Sequence, residues 1–305
     1  MSLFFSAWHF DLFIATNLVV ATLLYSWAIR RINRQVEGLE ASNSRTNNAR
    51  NIHPRNVLWG TWPRWISLSF YLGLALIALV YLGPIAAWSH TFFWAQMTQH
   101  LVVTMVAAPL LVLGAPITAA FRACGPVPRR TFARALRSPV VAVLTNPILT
   151  WLLFAGALLG THFTSFYDWT LANHGAMVMI KQPMFLITAF LYYLPLMGAN
   201  LLPKRPSHAA RLISLALMMI PEALVGAVIY FSPVILYDGF DTIRPFGLEA
   251  KPDQQISGAF MWGLVMSIES FWMMVVTADW FKSEERRSRK VDQEIAAETS
   301  STRVS

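Results

Sequence analysis

The chain of 305 residues contains one cysteine, Cys124. A single thiol cannot close an intramolecular disulfide, and it excludes any CxxC metal or redox motif. Charge is also scarce. Asp, Glu, Lys and Arg make up 13% of the residues, against about 25% in soluble domains. No Walker loop, GxGxxG or nucleophile elbow occurs, so the common nucleotide-binding and acyl-transfer signatures are missing. No internal repeat is visible, which counts against a transporter built from duplicated halves. What remains is apolar: 55% of the residues are hydrophobic, and they fall in runs long enough to cross a bilayer.

Seven such runs are predicted, at residues 10–29, 65–83, 91–121, 140–160, 174–197, 212–237 and 256–281. The expected fold is all-α, a bundle of seven transmembrane helices in a multi-pass membrane protein. The third run is too long for one perpendicular span and must tilt, kink or extend beyond the membrane. Trp8, Trp65, Trp88, Tyr167, Trp169, Tyr237 and Trp280 fall near span ends, as an aromatic belt requires. The opening stretch MSLFFSAWHFDLF lacks the basic region of a cleavable signal, so the first span is expected to be retained.

Net charge is +8, but the positive residues sit in short loops and not in one basic domain. That pattern points to the lipid bilayer and gives no nucleic-acid signature. Of the 24 Lys and Arg residues, 21 lie on one predicted side, including Arg30, Arg31, Arg34, Arg50, Arg55, Arg122, Arg129, Lys204, Arg205, Arg211 and Arg303. The other side holds Arg244 and Lys251, and Lys181 lies within a span. The positive-inside rule then places the N-terminus outside and the C-terminus in the cytoplasm. Residues 1–30 form the first span, 31–63 a cytoplasmic polar linker, 64–281 a six-helix transmembrane domain and 282–305 a charged cytoplasmic tail, helical or disordered.

The seven histidines sort unevenly on this topology. His53 and His208 are cytoplasmic. His9, His90, His162 and His174 lie at or near the outer surface, and His100 lies in the outer half of the third span. Met97, His100 and Thr104 recur at i, i+3 and i+7, one stripe of a helix, and His174 and Met177 at i, i+3. An imidazole within a membrane helix is costly unless it faces protein, water or a metal. Imidazole with thioether, and no thiolate on that side, suits copper(I). The ordinary reading stands beside it: most methionines in membrane helices fill the core or face lipid, and most interfacial histidines are hydrogen-bonded surface groups.

Glu222 and Glu269 both fall near mid-membrane, where a carboxyl must be protonated, paired or hydrated. Lys181 pairs with one of them or snorkels outward. The pair is either a proton or ion path or a polar clamp between helices, and no chain of further acids links it to both faces. Asp253 is placed to cap the seventh helix, and could also supply an oxygen ligand at the outer surface.

At these residues the chain resembles the polytopic CtaG-type family of cytochrome c oxidase assembly factors, distinct from the single-span copper chaperone that sometimes shares the name. The resemblance runs from about Trp59 to Phe281. It rests on QMTQHLVVTMVAAPLLVLGAP at 96–116, on the His162-to-His174 loop with its following span, and on Pro252-Asp253-Gln254-Gln255 leading into Gly258 and Met261-Trp262. It implies a non-enzymatic assembly factor of the bacterial inner membrane, whose partners are the catalytic subunit of a haem–copper oxidase and a periplasmic copper donor. His100, His162, His174 and Asp253 match the family's polar positions. The full set of expected copper-site residues is His100, Met97, His162, His174, Met177, His90 and Asp253. One position departs: the family usually has His-Met-x-Gln-His in the third span, and here the first residue is Gln96. A glutamine is not a soft copper ligand, so His90, Met97 or another group substitutes, or the site is weaker or holds no metal. The other readings are a scaffold or accessory subunit of a respiratory complex, and a haem-binding protein with His100 and His174 as axial ligands.

Overall fold

The computed structural model describes residues 8, 10–45, 60–198, 205–241 and 246–302. His9, His53, Arg50, Arg55, Lys204, Arg244, Arg303 and the linker residues 46–59 lie outside them. The described residues are all-helical, without a strand. Among the described residues six helices are long and apolar enough to cross a membrane, or seven if a bent pair, Pro147–His162 with Phe166–Ala172, is one span.

The first helix, α1 (Leu12–Arg45), continues well past its apolar half, so part of the expected linker is helical. Helix α2 is Arg64–Leu82. Helix α3 runs through Phe93–Leu101, a π-helical turn Val102–Ala107, and Ala108–Leu113. Two cores meet on it, one shared with α1 and α2 and a larger one shared with the helices that follow. The long third run is broken as well as bent. Ala115 adopts a left-handed conformation (φ 48°), and a new helix, α4 (Pro116–Ala123), starts with proline at its first position. There the absent N–H costs nothing. An arginine-rich amphipathic helix, α5 (Pro126–Leu136), follows.

The expected fourth span is differently bounded. A short helix, Pro139–Leu144, precedes α6 (Pro147–His162), whose start is fixed by Asn146 accepting from the amides of Ile148 and Leu149. The chain then turns by 69° into α7 (Phe166–Ala172). Helix α8 (His174–Met197) contains a π-turn at Met177–Lys181. Helix α9 (His208–Phe231) is capped by Ser207 and ends six residues before the expected boundary at Tyr237. Helix α10 comprises Ala250–Ala259, a π-turn Phe260–Leu264 and Val265–Thr302, so the charged tail is a helical extension.

Two details explain the close packing of the larger core. Pro109 cannot donate to the carbonyl of Met105. The indole N–H of Trp272 on α10 does so instead, at 2.7 Å. Gly226 on α9 and Gly258 on α10 bring two backbones together. A methyl added at Gly258 would fall 2.6 Å from the amide nitrogen of Tyr230, and one at Gly226 2.9 Å from that of Trp262. Outward faces carry exposed Leu72, Ile187, Ile213, Leu224 and Met274, as lipid contact requires. The ends of the bundle differ. Among the described residues, the 83–92, 163–173, 232–241 and 246–249 segments form an arginine-poor end, and Arg122, Arg129, Arg205 and Arg211 mark the opposite, arginine-rich end.

Candidate functional site

The arginine-poor end of α3 is built around Asp253. The N-cap residue of α3, Phe92, provides no side-chain hydrogen bond, which would leave the first amides of the helix without acceptors. The wholly buried Asp253 supplies both, its carboxylate accepting from the amides of Phe93 at 2.8 Å and Trp94 at 2.9 Å. The N-cap of α10 is Glu249, so Asp253 lies in the first turn of its own helix and caps a different one. This corrects the expectation that it caps the seventh helix. Its neighbour Gln254 accepts from the amide of Leu236 and donates to the carbonyl of Val234, and Lys251 donates to the carbonyl of Ser232. The Pro252-Asp253-Gln254 stretch therefore fixes the arginine-poor end and the position of α3.

Seven residues along α3 from Phe93, roughly 10 Å at helical rise, His100 enters a small buried cavity of about 30 Å³. Met97 and Thr104 line it from the same stripe, His162 from the end of α6, Tyr167 from α7, and Met177 and Lys181 from the π-turn of α8. Extra residues in a helix re-aim side chains, and such turns recur at functional sites. Here one π-turn begins two residues after His100 and another presents Met177 and Lys181.

The imidazoles of His100 and His162 approach edge to face, with ring centroids 5.8 Å apart. The Nδ1 of His162 lies 2.9 Å from the carbonyl of Leu158. A carbonyl only accepts, so Nδ1 carries the proton and Nε2 presents a bare lone pair. That Nε2 and both nitrogens of His100 are buried without a hydrogen-bond partner. The remaining polar groups are more constrained. Tyr167 donates its hydroxyl to Oε1 of Gln96, whose Nε2 points at the sulfur of Met177, 4.0 Å away. Gln99 donates to the carbonyl of Val80 at 2.7 Å. Tyr167 itself stacks on Tyr237, which donates to the carbonyl of His162.

Lys181 is 5% exposed, and its ammonium lies 4.3 Å from the centroid of the Tyr167 ring. This is a cation–π placement, and the nitrogen has no hydrogen-bond partner. Lys181 therefore neither pairs with Glu222 or Glu269 nor snorkels outward: it faces the histidine cavity. The sequence reading missed it, although Met177, Lys181 and Phe185 recur at i, i+4 and i+8. Tyr167, counted there among the aromatic residues at span ends, is another wall of the cavity.

Of the expected site residues, His100, Met97, His162 and Met177 are thus brought together. His174 and His90 form a separate pair at the rim, with ring centroids 5.9 Å apart. His174 is 53% exposed and lies 3.5 Å from Asp11, the residue just before α1. It does not face His100, and the cavity is far smaller than a haem macrocycle. Among the described residues, no three His, Cys, Asp or Glu side chains converge on one point. Any soft-metal site here would consist of two imidazoles supplemented by thioethers.

Fold and site together define a multi-pass helical membrane protein with a histidine- and methionine-lined cavity near one end of its bundle. The chain belongs to the family of cytochrome c oxidase caa3 assembly factors (Caa3_CtaG), whose model matches residues 48–283. That match includes α2 to α9 and most of α10, and confirms the resemblance carried by the third-span and Pro252-Asp253-Gln254-Gln255 motifs. An uncharacterized protein of Mycobacterium leprae is 23% identical over 299 residues, covering 95% of this chain and 42% of the relative. Uncharacterized proteins of Mycobacterium bovis and Mycobacterium tuberculosis are each 23% identical over 242 residues, covering 76% of this chain and 36% of theirs. The chain thus spans well under half the length of the curated relatives it matches. No solved structure matches it.

Proposed function

We propose that the protein assists assembly of a haem–copper cytochrome oxidase by holding copper(I), its cargo, between His100 and His162. One observation carries this reading: two buried imidazoles present unpartnered nitrogens to one cavity that Met97 and Met177 also line. Metal–imidazole bonds of about 2 Å fit one ion between rings spaced as these are. Neutral imidazole and thioether donors suit a soft monovalent cation. With no carboxylate among the donors, a divalent ion would be far costlier here. The backbone bond to Nδ1 of His162 orients that ring, as hydrogen bonds behind metal-binding histidines commonly do.

In this reading the arginine-poor end faces outward, and the rim pair His90 and His174 receives or releases copper there, between a periplasmic donor and the oxidase catalytic subunit. Asp253 serves by positioning α3 and not as a ligand. The competing reading is a metal-free scaffold, and Lys181 and the Tyr167–Gln96 hydrogen bond favour it, since both place groups in the cavity that do not bind a soft cation. In cells, His100→Ala is expected to lower oxidase activity and the copper content of the oxidase while the level of this protein stays unchanged. Equal oxidase activity in variant and wild type would contradict the proposal.

A further inference from the structure

A second polar cluster lies deeper in the bundle, apart from the histidine cavity. Glu222, near the middle of α9, and Glu269 of α10 both have zero exposure. Neither carboxyl oxygen of Glu222 has a hydrogen-bond partner. Glu269 accepts from the hydroxyl of Tyr193 at 2.7 Å through Oε1, and its Oε2 has no partner. The helices that carry them, α9 and α10, pack directly on each other.

The neighbouring helices can be searched for a compensating charge, and α3, which meets Tyr193 and α10 at Met105, carries only His100, in the histidine cavity. Helix α8 presents Tyr192 and Tyr193, the first donating to the carbonyl of Ser214. Helix α6 has His162, which faces the other cavity, and Lys181 lies there too. On α9, the buried Arg211 bonds Asp279 at 2.9 Å. Among the described residues no lysine, arginine or histidine bonds either glutamate. Two full negative charges buried on packed helices in an apolar core, without a cation, are excluded on energetic grounds. One carboxylate can persist at Glu269, where Tyr193 donates to it; the other group must then be an acid.

We propose that Glu222 and Glu269 form a proton-binding site that retains one proton between its two carboxyls at neutral pH. The ligand is a proton taken from solvent, and no other chemistry is required. Because the two groups stand on different helices, loss of that proton would set like charges against each other across the α9–α10 contact. The site therefore couples proton occupancy to the packing of those helices. This inference is independent of copper handling.

Infrared spectroscopy of the full-length chain in lipid nanodiscs tests it. With carbon-13 in the glutamate side chains, wild type at neutral pH should show the isotope-shifted C=O stretch of a protonated carboxyl, moving further in heavy water. Exposed glutamates are ionised there and do not contribute to that band. The double substitution Glu222→Gln/Glu269→Gln should abolish the band. Absence of the band from labelled wild type overturns the proposal whether or not the variant folds, as does a band that survives in a folded double variant.

Discussion

Single residues in this protein act through what they bond as much as through what they leave unsatisfied. Asp253 illustrates the first case. Its two oxygens take the amides that open α3, so Asp253→Ala should remove two buried acceptors and destabilise the protein by about 1–3 kcal/mol. Asp253→Asn, which retains one acceptor, should cost less. Thermal unfolding in detergent measures both, and copper bound per folded chain should be unchanged in the asparagine variant. A copper loss without a stability loss would instead make Asp253 a ligand. His100 and His162 illustrate the second case: no protein group engages either nitrogen of His100 or the Nε2 of His162. The i, i+3, i+7 stripe of Met97, His100 and Thr104 was legible in the sequence because an amphipathic period survives in any helical context. The partner of His100 was not. His162 is brought to it by the packing of α6 in the bundle, and nothing in local spacing encodes that meeting. The same holds for Asp253, whose type suggested a cap but whose sequence position could not say which helix it would cap.

At the scale of elements, composition and hydropathy anticipated the helices well and their interruptions poorly. The three π-turns fall inside continuous apolar runs, and an inserted residue leaves no compositional trace. Prolines gave partial warning. Pro116 does begin a new helix, whereas Pro109 stays within α3 because Trp272 takes over the abandoned carbonyl. The contact between α9 and α10 depends on Gly226 and Gly258, whose missing side chains admit the opposing backbone. Gly258→Val should force the helices apart, at a cost of at least about 1–3 kcal/mol for overpacking. The expected outcome is a clear fall in melting temperature, with a smaller fall for Gly258→Ala. A valine variant as stable as wild type would show that this contact yields easily.

For the whole molecule, the class was readable from charge scarcity and seven apolar runs, and the family match agrees with it. What the sequence could not supply was the division of its polar residues into separate places. Outer histidines that looked like one set form a rim pair and an inner pair, and Lys181 and the two glutamates, grouped by depth alone, part company: Lys181 lines the histidine cavity and the glutamates lie elsewhere, on other helices. The copper claim concerns the inner pair, and it is tested most directly by copper per chain in protein purified under reducing conditions, beside His100→Ala, His162→Ala and Met97→Ala. Near-stoichiometric copper in wild type, lost in both histidine variants and weakened in Met97→Ala, is the predicted result. Wild-type protein that takes up no copper at any loading would contradict the account and leave the cavity as part of a metal-free scaffold.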